Sequence, residues 1–129
     1  MQYTIQFYPD HALAVVTFTG DVTGDIVLDA LRRMLDDPAW RPGYDRIWNG
    51  LGITHLDVDH AALEAHGRLA HERVERAGTG RSAIVARMPT HFLLSRLYEA
   101  VVPWQARAFE TVPEALAWLG KTLAEEDLG

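Results

Sequence analysis

The densest grouping of chemically capable side chains in this sequence is His55-x-Asp57-x-Asp59-His60. Imidazole and carboxylate together suit zinc or a non-haem transition metal. The same residues have a simpler use, because Asp57 or Asp59 stands where the N-cap of a following helix is expected. Nucleophilic chemistry has less to draw on. The chain has no cysteine, and its two serines, Ser82 and Ser95, fall in an apolar strand and within a helix, neither in a Gly-x-Ser-x-Gly elbow. Gly50, Gly52, Gly78 and Gly80 form neither a dinucleotide fingerprint nor a phosphate loop. The expectation is therefore a protein with no catalytic residue, no bound metal and no cofactor, with a metal-dependent enzyme built on His55–His60 as the third choice.

The other chemistry is positional. In open α/β sheets, ligands settle beyond the carboxyl ends of parallel strands, near a switch in strand order. Two strand-to-helix connections here end in polar residues: Asn49, Thr54, His55 and Asp57 in one, Arg87, Thr90 and His91 in the other. They are the candidate ligand or regulatory residues, converging on a small cleft for an anion; the alternative is that they only form turns and caps. His66 falls on the apolar stripe of a helix. It is expected to be a core histidine whose ring nitrogens are satisfied by backbone carbonyls.

Composition bounds the partners. The chain of 129 residues is 48% hydrophobic and 23% charged, in the range of a globular domain, with a formal net charge of -6. That sign argues against nucleic acid and anionic membrane surfaces, both of which are held by Lys and Arg. The first ten residues lack the basic and apolar blocks of a signal peptide, no uncharged apolar run approaches the roughly 20 residues of a spanning helix, and the expected location is the cytoplasm.

The elements that must position these groups follow from periodicity. Tyr3–Tyr8 alternates as a half-buried strand, Pro9–His11 turns, and Ala12–Thr19 is a second strand apolar on both faces, hence inside the sheet. A first helix over 25–36 buries Val27, Leu28, Leu31, Met34 and Leu35, and Trp40 in the link that follows serves as a lid over the core edge. Asp45–Trp48 is a short third strand followed by a loop over 49–59. A second helix over 60–77 turns Ala62, Leu63, His66, Leu69, Ala70, Val74 and Ala77 inward, and Gly78 is its left-handed cap. On its outer face, Glu64 with Arg68, Arg68 with Glu72, and Glu72 with Arg76 are spaced for ion pairs. Ser82–Ala86 is a buried parallel strand, and a third helix over 90–102 buries Phe92 or Leu93, Leu94, Leu97, Tyr98 and Val101. A last strand over 106–110 leads to a fourth helix opened by the capping box Thr111…Glu114, with Leu116, Leu119 and Leu123 as its stripe, and residues 125–127 are a frayed acidic tail. The order β-β-α-β-α-β-α-β-α predicts a single α/β domain, with helices packed on a mixed, mostly parallel five-stranded sheet.

This order resembles the SpoIIAA-like family, bacterial relatives of the STAS domains. The likeness is carried by the glycine and amphipathic helix at 19–34, Asp36-Asp37-Pro38 through Pro42-Gly43, the strand and loop at 47–57, Arg96-x-Tyr98-Glu99, and Phe109 with Ala115–Gly120. It implies a non-enzymatic regulatory or binding module for a protein partner or small ligand, working through the loop after the third strand. In that family's phospho-switched members the loop presents Asp-Ser; here Gly52–Asp57 contains no serine, and Thr54 is the nearest hydroxyl. The alternative, from related lipid-exchange proteins of the CRAL-TRIO kind, is a carrier whose apolar pocket would be lined by Trp40, Trp48, Phe92 and Trp104. A homodimer is the oligomer expected by default.

Overall fold

The computed structural model describes residues 2–128. It begins with a hairpin, β1 (Tyr3–Tyr8) and β2 (Leu13–Thr23), closed by a 3-10 turn over Pro9–His11, with Ala12 N donating to Pro9 O at 3.1 Å. The rest runs α1 (Gly24–Asp36), β3 (Asp45–Asp57), α2 (His60–Glu72), α3 (Val74–Ala77), β4 (Ser82–Val85), α4 (Pro89–Val101), β5 (Ala106–Phe109) and α5 (Val112–Trp118). The strands lie in the order β1-β2-β3-β4-β5, with β1 antiparallel and the remainder parallel. This is the expected mixed sheet.

The strand order never reverses, so there is no switch point of the kind anticipated. Successive right-handed crossovers that always step in one direction leave their helices on one face. The core divides accordingly. Ala14, Val16, Phe18 and Trp48 pack with Leu31, Met34 and Leu35 of α1 and with Ala70 and Ala77, whereas Leu13, Val15, Ile47, Ala83 and Val85 pack with Val112, Ala115, Leu116 and Leu119 of the α5 segment. Strand β2 thus supplies both layers with alternate side chains, as its two apolar faces predict.

Several expectations change. The loop expected over 49–59 is mostly strand: β3 continues to Asp57, paired in parallel with an equally lengthened β2 through Thr23. Between Thr17 and Thr19, and again between Gly20 and Asp21, β3 advances one residue more than β2. The bulges absorb the Gly50–Leu51 step and Thr54, and Gly52 pairs with Thr19; a Cβ at Gly52 would lie 2.9 Å from Phe18 O, so glycine marks a close approach there, not a loop. Helix two breaks at Arg73, whose backbone leaves the helical region at φ -106°, ψ 16°, and Val74 turns outward instead of inward. The expected ion pairs on its outer face are replaced by His60 with Glu64 at 2.8 Å and by Arg73 with Asp36. Gly78 has the positive φ expected, but at φ 79°, ψ -158° it is not left-handed helical.

Trp40 is no lid. It is wholly buried, and its indole N–H donates to Arg76 O at 2.8 Å. The buried stripe of α4 is His91, Ser95 and Tyr98, leaving Leu93 and Leu97 exposed. The C-terminal tail is tied down too, since residues Glu125–Leu128 form a 3-10 turn and the Tyr8 hydroxyl donates to Leu128 O at 2.6 Å.

Beside Trp40 lies a cation that the sequence pattern concealed. Arg46 is fully buried, donating to Ser82 Oγ at 3.0 Å and Tyr44 O at 2.8 Å, with its guanidinium 4.6 Å from the Trp104 ring centroid and 5.8 Å from that of Trp40. Burial lowers its pKa to about 10, which still leaves it charged at neutral pH.

The caps behave as predicted. Asp59 Oδ1 accepts from Ala62 N at 2.8 Å at the start of α2, and Thr111 Oγ1 accepts from Glu114 N at 3.3 Å while donating to Glu114 Oε1 at 2.8 Å. Removing the second cap with Thr111→Ala is expected to lower stability by about 1 kcal/mol, read as a shift in the urea midpoint at unchanged slope.

Candidate functional site

An apolar cavity lies on the face of the sheet that carries α1, α2 and α4. Its volume is about 100 Å³, and it is partly open. Its walls come from four places. The lengthened β2–β3 ribbon gives Phe18, Ile53 and Leu56, α1 gives Val27, α2 gives Ala62, Leu63 and His66, and α4 gives His91, Leu94, Ser95 and Tyr98. Trp48, Ile84 and Val85 form the floor. Two helices can close on this space because Gly67 lets them; a Cβ there would lie 2.8 Å from Val101 O.

His66 is the unusual wall residue. It is 3% exposed, and neither ring nitrogen has a hydrogen-bond partner. The carbonyl partners expected from sequence are not there. Instead the imidazole stands edge-on to Tyr98 at 4.8 Å and to Trp48 at 6.1 Å between centroids. Burial without a compensating charge pushes its pKa down to about 4, so the ring is neutral at physiological pH and carries one donor and one acceptor. The Trp48 indole N–H is likewise buried and unpaired. The Tyr98 hydroxyl has Ser82 and Trp104 as polar neighbours, and burial raises its pKa to about 12.

A second cleft, of about 350 Å³, adjoins the cavity beyond the end of β4, lined by Gly50, Leu51, Ile53, Arg87, Met88 and His91. Gly50, Ile53 and His91 belong to both. Arg87 is exposed; His91 is 9% exposed, and its ring has no hydrogen-bond partner among the described residues.

Of the candidate residues picked from sequence, Arg87 and His91 meet at this cleft. Asn49 lies beside it, but its side chain is used locally, accepting from Leu51 N at 3.1 Å. Thr54, His55 and Asp57 are exposed along the ribbon, and Thr90 is exposed on the first turn of α4. The segment 49–59 contributes its inward apolar side chains, Ile53, Leu56 and Val58, and none of the polar ones that drew attention to it. The alternation Leu56-x-Val58 was the available signal, put out of step with Ile53 by the bulge at Thr54. Nor does the His55–His60 string gather: His55 and Asp57 lie on the strand, Asp59 caps α2, and His60 pairs with Glu64. No group of three or more His, Asp or Glu side chains among the described residues is placed to hold a metal ion. Of the four aromatics considered for an apolar pocket, Trp48 alone lines the cavity.

No family model matches this sequence, and no curated protein does. The structure is similar to the crystal structure of an uncharacterized protein from the DUF3478 family with a SpoIIAA-like fold from Shewanella loihica PV-4. The match has a TM-score of 0.56 and 19% identity, covering 91% of each chain. At that identity the likeness shows the SpoIIAA-like fold and nothing finer. No helix among the described residues is long and apolar enough to cross a membrane.

Proposed function

We propose that this chain, a SpoIIAA-like fold, is a non-enzymatic binding module whose ligand is a small organic molecule held in the cavity between the β2–β3 ribbon, α2 and α4. The observation that carries this is an apolar cavity walled by a buried histidine with both ring nitrogens unpaired. Buried polar groups are nearly always satisfied, and a well-packed interior leaves few voids larger than a water molecule. A cavity combining both exceptions fits a binding site better than a packing fault.

The size of the space restricts the ligand. Apolar cavities of about 150 Å³ accept a single aromatic ring. The space here suits a small ring or a short chain, extended through the open side, and not a long acyl chain. Of the two readings drawn from related folds, this supports a carrier or sensor of a small molecule over docking through the polar side chains of residues 49–59.

The test is direct. Leu94, half-buried on α4, lines the cavity, so a larger side chain there takes up ligand space. Leu94→Trp is expected to weaken binding of a small apolar probe such as 1-hexanol about tenfold, equivalent to roughly 1.4 kcal/mol, while the fold persists by circular dichroism. Chemical-shift titration reads the affinity. Equal binding by wild type and variant would place the ligand elsewhere and end this reading.

A further inference from the structure

We infer that the cavity and the neighbouring cleft are one site, built for a small anionic amphiphile: a compact apolar body with a single anionic group at one end. The inference rests on the proposed ligand cavity and adds the chemical class of its occupant.

Continuity is the first ground. Gly50, Ile53 and His91 line both spaces, so a molecule in the cavity emerges into the cleft. Chemistry divides along the same path. Inside, the walls are apolar and His66 is neutral, an environment that would penalise a charge. No Asp or Glu lines either space, so a cationic group would find no counter-charge. In a chain with a formal net charge of -6, that absence is local and specific.

At the mouth the polarity reverses. Arg87 supplies a cation there. Helix α4, 13 residues long, begins beside it with Met88 as N-cap, no side chain capping its free N–H groups, and no acidic residue in its first turn. Uncapped helix N-termini favour negative charge. His91 stands at the junction, nine-tenths buried, lining both spaces, with no hydrogen bond to its ring among the described residues. A wholly apolar ligand would make no use of His91, Arg87 or these N–H groups. A carboxylate at the end of a short chain satisfies them while its chain fills the cavity.

Three probes of one length separate the possibilities: hexanoate, 1-hexanol and hexylamine, each titrated as monomer into the full chain and followed by amide chemical shifts. Hexanoate is expected to bind about three- to tenfold tighter than 1-hexanol, the range of one partly exposed ion pair plus a helix terminus, with hexylammonium weakest. Arg87→Gln should bring hexanoate close to 1-hexanol and leave 1-hexanol unchanged. Leu94→Trp should weaken both. Equal affinities for all three probes in wild type would overturn the anionic head group while leaving the cavity reading intact. Hexanoate binding that ignores Leu94→Trp, with shifts confined to the surroundings of Arg87, would show surface ion pairing and overturn the single site. If no probe binds, both readings fall. Anionic phospholipid vesicles form the last arm: displacement of hexanoate by vesicles would overturn the assignment to a free ligand and give the mouth to a lipid head group.

Discussion

On acidification from pH 6.5 towards about pH 4, wild-type protein is expected to lose roughly 3 kcal/mol of stability that a His66→Phe variant keeps. The sign follows from where the proton binds. His66 is buried and neutral in the folded chain, with its pKa down at about 4, while the unfolded chain takes a proton near the ordinary value of 6.5. Below that value the unfolded state binds more protons, so stability falls as pH falls, and the loss levels off once the folded imidazole also titrates. Above pH 6.5 both states are neutral and His66 contributes no slope. Phenylalanine keeps an aromatic ring against Trp48 and Tyr98 and removes two unpaired nitrogens, so at neutral pH the variant should be no less stable than wild type. Urea unfolding of both proteins across this range makes the comparison, since exposed carboxylates contribute equally to each and cancel. Parallel curves would mean that the imidazole is already solvated in the fold.

The second large effect is expected at a crossing of backbones. Gly78→Ala should cost about 4 kcal/mol or more. Gly78 sits at φ 79°, ψ -158°, a region nearly closed to side-chain-bearing residues, and a Cβ there would overlap the backbone of Pro42 and Gly43. Neither loop can retreat easily, because Gly43 N donates to Ala77 O at 2.8 Å and Arg46 N to Arg81 O at 2.9 Å. Gly20→Ala is the internal control. Gly20 has φ 74° with nothing within 4 Å of a built Cβ, so it should show the strain alone, about 1–2 kcal/mol. Thermal or urea unfolding measures both. Similar losses at the two positions would remove the steric part of the explanation.

Local rules made much of this fold legible. The hairpin, the two-faced β2, the caps at Asp59 and Thr111 and the order of strands and helices each depend on a few neighbouring residues, and each is found. What escaped depends on partners distant in sequence. Gly50 and Gly52 look like loop glycines until β2 is laid alongside, when Gly50 falls in a bulge and Gly52 pairs with Thr19. In α4, leucines at 93, 94 and 97 leave the phase of the stripe open by hydrophobicity alone; packing of Ser95 and Tyr98 towards the sheet decides it. Arg46 reads as a surface residue of a short strand, and the tryptophans that wall it in come from positions 40 and 104. The candidate site divides in the same way. Polarity and strand position single out Arg87 and His91, and the structure places both at one cleft. The cavity behind them consists mostly of ordinary apolar residues, whose only distinction is that they fail to fill the space they enclose.

The lengthened β2–β3 ribbon has a kinetic consequence. Pairing of β1 with β2 stops at Phe18 and pairing of β4 with β3 stops at Asn49, so beyond those points two parallel strands continue with neither edge covered by another strand among the described residues. A parallel pair alone is a weak structure, and the bulges interrupt its ladder twice. Its amides should therefore exchange with solvent through local opening well before the sheet below them, which opens only with the whole domain. Ile53 and Leu56, which roof the cavity, ride on that segment. Fraying of this ribbon is separable from global stability, so substitutions at the bulges should change how fast its amides exchange, and how widely the partly open cavity gapes, without changing how firmly the domain holds together.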